Sequence, residues 1–262
     1  MRYEAKPHRL VAALIMTAAL FAGCAQNPSS GGPDDDGLLN AISMDDVSSV
    51  RTDLQAGGAG VNYRVRAPGY SEGTPIITIA AREAALDVLR YLIAAGADVN
   101  AHTPAGETPL MLAAYFPNDD ASTAARERHE RAVHMLVDAG ASVENTPNNY
   151  TPLSYAAYQG RENIILYLLK RGARVNGDAH DGITYVNTPL MMAAMQGQYQ
   201  AALSLLRAGA DPNIRIVHGP TAEDLAMKHR HARVASLLRC AEQVPPGSTF
   251  SANCLAENTA RR

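Results

Sequence analysis

Gly73-Thr74-Pro75-Ile76, Glu107-Thr108-Pro109-Leu110, Tyr150-Thr151-Pro152-Leu153 and Asn187-Thr188-Pro189-Leu190 are four near copies of one phrase, and Thr221-Ala222 opens a worn fifth. The five threonines stand 34, 43, 37 and 33 residues apart, so the base period is about 33 with insertions. The phrase has a physical spelling. Threonine caps a helix by accepting from a backbone N–H, and proline suits the first helical position, where a missing N–H costs nothing. Each copy runs on into alanines (Ala80, Ala113-Ala114, Ala156-Ala157, Ala193-Ala194) that let two helices approach closely. A second amphipathic stretch follows, carrying Leu92-Ile93, Leu136-Val137, Leu168-Leu169 or Leu205-Leu206 as an apolar ridge aimed at the next copy. Gly96, Gly140, Gly172 and Gly209, each followed by alanine, accept the left-handed turn that stops that helix.

Type, order and period together resemble the ankyrin repeat, over about 200 residues of the chain. The resemblance implies an all-α fold, an ankyrin-repeat solenoid of about six helix-turn-helix units with short β-turn or hairpin tips, spanning 38–239. Leu38 to Val61 places Val47, Val50 and Leu54 ahead of Gly57 without a Thr-Pro start, which suits an N-terminal cap. Thr221 to Arg239, ending on Leu237-Leu238, suits a C-terminal cap. The histidine that follows Thr-Pro-Leu in this family is replaced by Ile77, Met111, Ser154 and Met191, so its hydrogen bonds between repeats are expected to be missing and packing to replace them. Insertions around Pro117 to Ser122 and Gly177 to Gly182 lengthen surface loops, either as partner contacts or as tolerated drift.

Outward from the repeats, the two ends carry different signals. Arg2, Lys6 and Arg9 precede an apolar run from Leu10 to Phe21, too short to span a bilayer and suited to a signal peptide over 1–23. Leu20-Phe21-Ala22-Gly23-Cys24 resembles the lipobox of bacterial lipoproteins, with Phe21 where leucine is usual. That resemblance implies cleavage before Cys24, lipidation of its thiol and, with Ala25 next, sorting to the outer membrane facing the periplasm. The other reading is an ordinary secreted chain, or an uncleaved anchor, with Cys24 incidental. Residues 24–37, polar and Gly/Pro-rich, read as a disordered tether of roughly 20 Å. In an oxidising compartment Cys240 and Cys254 of the tail 240–262 would close a short loop, stabilising by roughly 3 kcal/mol; otherwise they are two free thiols.

The chemistry is as informative for what it lacks. A net charge of -3 gives no basic field to attract nucleic acid. No nucleophile elbow, phosphate loop or metal-ligand spacing occurs, and His129, His134, His229 and His231 read as satisfied or solvated surface histidines. Neither catalysis nor a cofactor, metal or small-molecule substrate is expected. In the ankyrin family, partners contact the positions after the paired alanines and the turn tips, which here hold Tyr115-Phe116, Tyr158-Gln159, Met195-Gln196, Tyr150 and Tyr185. Five of the chain's fourteen Tyr and Phe fall on that stripe, which reads as a protein-binding surface; packing of Phe116 and Tyr158 against neighbouring loops is the plainer account. The expected function is a non-catalytic, membrane-tethered protein binder, either an immunity protein that neutralises a periplasm-delivered effector or a scaffold for a resident envelope enzyme. An enzyme or metal carrier using the histidines is the remaining reading.

Overall fold

The computed structural model describes residues 32–67, 69–116, 122–144, 150–180 and 182–243. The signal-like segment, Cys24, Cys254 and insertion residues 117–121 lie outside them. Among the described residues twelve helices form six pairs. They are α1 (Asp35–Ser43) with α2 (Val47–Ala56), α3 (Ile76–Arg82) with α4 (Leu86–Ala94), and α5 (Pro109–Ala114) with α6 (Thr123–Asp138). Then come α7 (Pro152–Tyr158) with α8 (Glu162–Lys170), α9 (Pro189–Met195) with α10 (Tyr199–Arg207), and α11 (Ala222–Lys228) with α12 (Ala232–Glu242). First helices pack on one another down the stack and second helices do the same, giving two layers with a continuous apolar core. At the tips, β1 (Arg64–Val65) pairs antiparallel with β2 (Thr74–Pro75), and β3 (Ile183–Thr184) pairs parallel with β4 (Arg215–Ile216).

Four of the five threonines cap as their sequence requires. The hydroxyls of Thr108, Thr151, Thr188 and Thr221 each accept from the N–H three residues on, at 3.1 to 3.3 Å. Thr74 instead lies in β2 and donates to the Ser71 carbonyl, so α3 starts one residue later with Pro75 as its cap. That offset carries Arg82 to the end of α3. The chain also becomes helical before Leu38, the expected edge of the tether. Asp35 and Asp36 open α1, and the Asp35 carboxylate accepts from the Tyr63 hydroxyl (2.9 Å) and the Arg66 N–H (2.7 Å), which ties this turn to the domain. At the other end α12 runs past Arg239 and includes Cys240.

Packing was expected to replace the histidine's hydrogen bonds between repeats, and hydrogen bonds from other side chains do so as well. In four of the six units, the second to the fifth, the N–H immediately after Gly-Ala donates to a side chain of the preceding unit. Asp98 donates to Asn62 (2.8 Å), Ser142 to Asn100 (2.8 Å), Arg174 to Glu144 (2.8 Å) and Asp211 to Asn176 (3.0 Å). Each acceptor follows a valine, in the pattern Val-Asn or Val-Glu. A second set crosses at the turns between paired helices. Arg161 donates to the Phe116 carbonyl (2.8 Å), Gln198 to that of Tyr158 (3.4 Å), and His231 Nε2 lies 3.0 Å from that of Met195.

The His231 contact fixes the residue beneath it. Gly197 has φ +68, and a Cβ there would stand 2.5 Å from the His231 ring, so both backbone and space demand glycine. Gly197→Ala should cost about 2 kcal/mol, roughly half from left-handed strain and half from the lost bond. Gly209→Ala, strained at φ +90 but meeting nothing within 4 Å, should cost about 1 kcal/mol. Urea unfolding of both variants measures the difference, and equal losses would remove the role given to His231.

Candidate protein-binding surface

The alanine pairs Ala113-Ala114, Ala156-Ala157 and Ala193-Ala194 are fully buried where first helices touch. A helix turns about 100° per residue, so the next position swings away from that contact. Tyr115, Tyr158 and Met195 occupy it in successive repeats and are all half-buried. The one-residue offset of α3 puts Arg82 in the same place, and Lys228 holds it at the end of α11. In chain order the stripe therefore reads Arg82, Tyr115, Tyr158, Met195, Lys228.

Its centre is aromatic. The Tyr115 and Tyr158 rings lie 6.1 Å apart and tilted by 33°, and Tyr155 meets Tyr115 edge-on at 5.8 Å. The Tyr155 hydroxyl lies 3.3 Å from Glu107 Oε1, to which it donates. Burial raises the phenol pKa of both Tyr115 and Tyr158, so they act as neutral hydroxyls in the physiological range. Arg82 lies 5.9 Å over the Tyr70 ring and beside Tyr115.

The expected residues do not all present themselves. Phe116 is 3% exposed. Its ring stacks on His129 at 4.2 Å, and the Arg161 guanidinium sits 3.4 Å from its centroid, so the two must cover opposite faces. Phe116 is core, because α5 ends after six residues and the chain turns inward under the long α6. Gln159 is likewise buried and hydrogen-bonds Tyr115, supporting the stripe from behind. Tyr150 is half-buried and bonded to Asn187 at the neighbouring tip. Gln196 is exposed, and Tyr185 is 85% exposed just beyond β3, with Ile183 and Val217 exposed beside it. Arg82, Lys228 and Tyr155 were missed from sequence. The signal for the first two was their place in the repeat register; Tyr155, inside the helix, gave none.

His129 differs from its expected surface place. It is buried, its Nδ1 lies 3.1 Å from the Ala113 carbonyl, and burial, aided by Arg161 and Arg128, pushes its pKa down to about 4. Arg161 is itself buried, and desolvation lowers its pKa to about 10. Between pH 6.5 and 4 the unfolded chain then holds a proton on this histidine that the folded chain does not. Stability falls as pH drops through that window, by on the order of 3 kcal/mol at the acid end. His129→Gln should flatten this slope in denaturation midpoints taken at pH 7 and pH 4.5; an unchanged slope would place it elsewhere. Phe116→Ala should cost about 3–4 kcal/mol of stability, read by the same unfolding measurement.

Among the described residues no group of three or more His, Cys, Asp and Glu is placed to hold a metal ion. An ankyrin-repeat family model matches residues 73–104 and 187–216, and a model of three ankyrin copies matches residues 121–179. No curated protein matches the chain. The period, the capped helix pairs and these matches agree: the chain carries ankyrin repeats, a protein–protein interaction module, and its fold is an all-α ankyrin-repeat solenoid.

Proposed function

We propose that this chain is a non-catalytic protein-binding lipoprotein of the bacterial envelope, holding its partner along the stripe from Tyr115 through Tyr158 to Met195. The observation that carries the reading is the stripe itself. Neighbouring repeats place aromatic or thioether side chains at one equivalent position and leave them half-open, although the core beside them is closed by alanine. Tyrosine and methionine give large contact area at modest rotamer cost or with adaptable shape, which suits a binding hot spot.

The anchor is read from the Cys24 lipobox and the short polar run that joins it to α1. Lipid attachment would hold the solenoid near the outer membrane on its periplasmic side and raise its effective concentration there. That placement supports an immunity role, in which the solenoid intercepts an effector delivered into the periplasm. A partner that is a resident envelope enzyme would instead make the chain a scaffold. Pairing of Cys240 with Cys254 belongs to the same reading, since the compartment is oxidising.

Affinity capture with the wild-type chain and with Tyr115→Ala/Tyr158→Ala tests the surface. One protein held by the wild type and lost at least tenfold from the double variant is the expected result, and its identity decides between effector and resident enzyme. Equal retention by both would overturn the stripe. Cys24→Ser is expected to abolish incorporation of labelled palmitate and to release the chain from the membrane fraction; unchanged labelling would overturn the anchor.

A further inference from the structure

We propose that the partner engages the stripe with an extended segment that is apolar in its middle and carries carboxylates at both ends. This rests on the stripe being the binding surface, and adds the chemistry of what it binds.

The stripe has a charge pattern as well as a shape. Its first and last positions, Arg82 and Lys228, are exposed cations, and the three between them are uncharged. Seven of the sixteen arginines among the described residues are ion-paired, Arg66 among them. Arg90, Arg128, Arg171, Arg174, Arg215 and Arg239 all pair with carboxylates. Arg82, Lys228 and Arg230, two residues beyond Lys228, are among the nine described arginines and two described lysines without an ion pair, and their place at the two ends of the stripe is what sets them apart.

Arg230 adds a separate indication. It adopts φ +63; of the matching turns, those of the two preceding repeats hold Gly160 and Gly197 at φ +68, and that of the second unit holds buried Ala84 at φ 49. A side chain in that conformation carries strain that glycine avoids. Asp45, at the matching turn of the first repeat with φ 58, uses its side chain to accept from Asp87 and Val88. Arg230 has no such partner within the described domain, and it stands beside Lys228 and exposed His229. Among the described residues the carboxylates beside the stripe include Glu83, next to Arg82, and Glu107, which is engaged by Tyr155. The C-terminal end of the stripe is thus the more strongly basic one.

The spacing sets the length of the segment. Packed helices lie about 8–10 Å apart, so four repeat steps from Arg82 to Lys228 span roughly 32–40 Å. An extended chain rises about 3.3 Å per residue, so roughly 10–12 residues would join the two cationic ends. An anionic bilayer offers charge but no chain to run along a row of tyrosines, which favours the peptide.

A display library of random twelve-residue peptides, panned on the full chain, is the probe. Enriched peptides are expected to carry Asp or Glu near both ends with aromatic or aliphatic residues between. Their affinity should fall at least tenfold with Arg82→Ala/Lys228→Ala, and also with Tyr115→Ala/Tyr158→Ala. Raising salt from 50 to 500 mM should weaken binding severalfold in the wild type and little in the Arg82/Lys228 variant. Enriched peptides that need the tyrosines but show no acidic bias would overturn this inference and leave the binding surface standing. Peptides indifferent to both pairs of substitutions would overturn both. No enrichment, with phosphatidylglycerol vesicles sedimenting the chain through Arg82 and Lys228, would overturn it in favour of a membrane contact, and no enrichment without vesicle binding would overturn it outright.

Discussion

A unit of about 33 residues cannot bury its own apolar face, so each repeat is folded only to the extent that its neighbour completes it. The completing contact has two parts. Alanine pairs on the first helices let neighbouring repeats pack closely, and a polar side chain of one repeat accepts from the N–H after Gly-Ala in the next. Both parts constrain backbone positions rather than bulk hydrophobicity. That is why a chain without tryptophan and with only three phenylalanines can still form a long closed core.

The same constraint generates the proposed binding face. Once alanine fixes the closest approach of two helices, the following residue is turned outward by helix geometry, and nothing in the packing dictates what it must be. Tyr115, Tyr158, Met195, Arg82 and Lys228 stand there. The stability of the solenoid and the identity of the stripe are consequently separable, and residues one position apart in sequence have opposite roles. Phe116 holds the stack closed beneath Arg161, and Tyr115 beside it faces out.

Much of this was legible in the sequence, for reasons that can be named. Thr-Pro starts and Gly-Ala stops report backbone geometry that few other residues satisfy, so the helix pairs and their period could be read directly. The stripe was legible to the degree that its register was. It was lost at Arg82, because Thr74 enters a strand and shifts α3 by one residue. Phe116 was misplaced because its surroundings, His129 and Arg161, come from 13 and 45 residues further along the chain, and no local pattern announces them. The bonds between repeats were discounted because the familiar histidine was absent, yet asparagine after valine serves the purpose from another position. The start of α1 was hidden because Asp35 looks like part of a polar run until Tyr63 and Arg66 are seen to bind it.

The asparagine contacts also give the array a direction. Every acceptor lies in the earlier repeat and every donor in the later one, so each unit reads its position from the one before it. Asn100 reaches forward with both ends of its amide, accepting from Ser142 and donating to Gly140. Asn213, its counterpart in the last tip, folds its amide back onto Asp211 two residues away. Among the described residues the register is thus passed in one sense along the chain, so a change at one tip is felt first by the repeat that follows it.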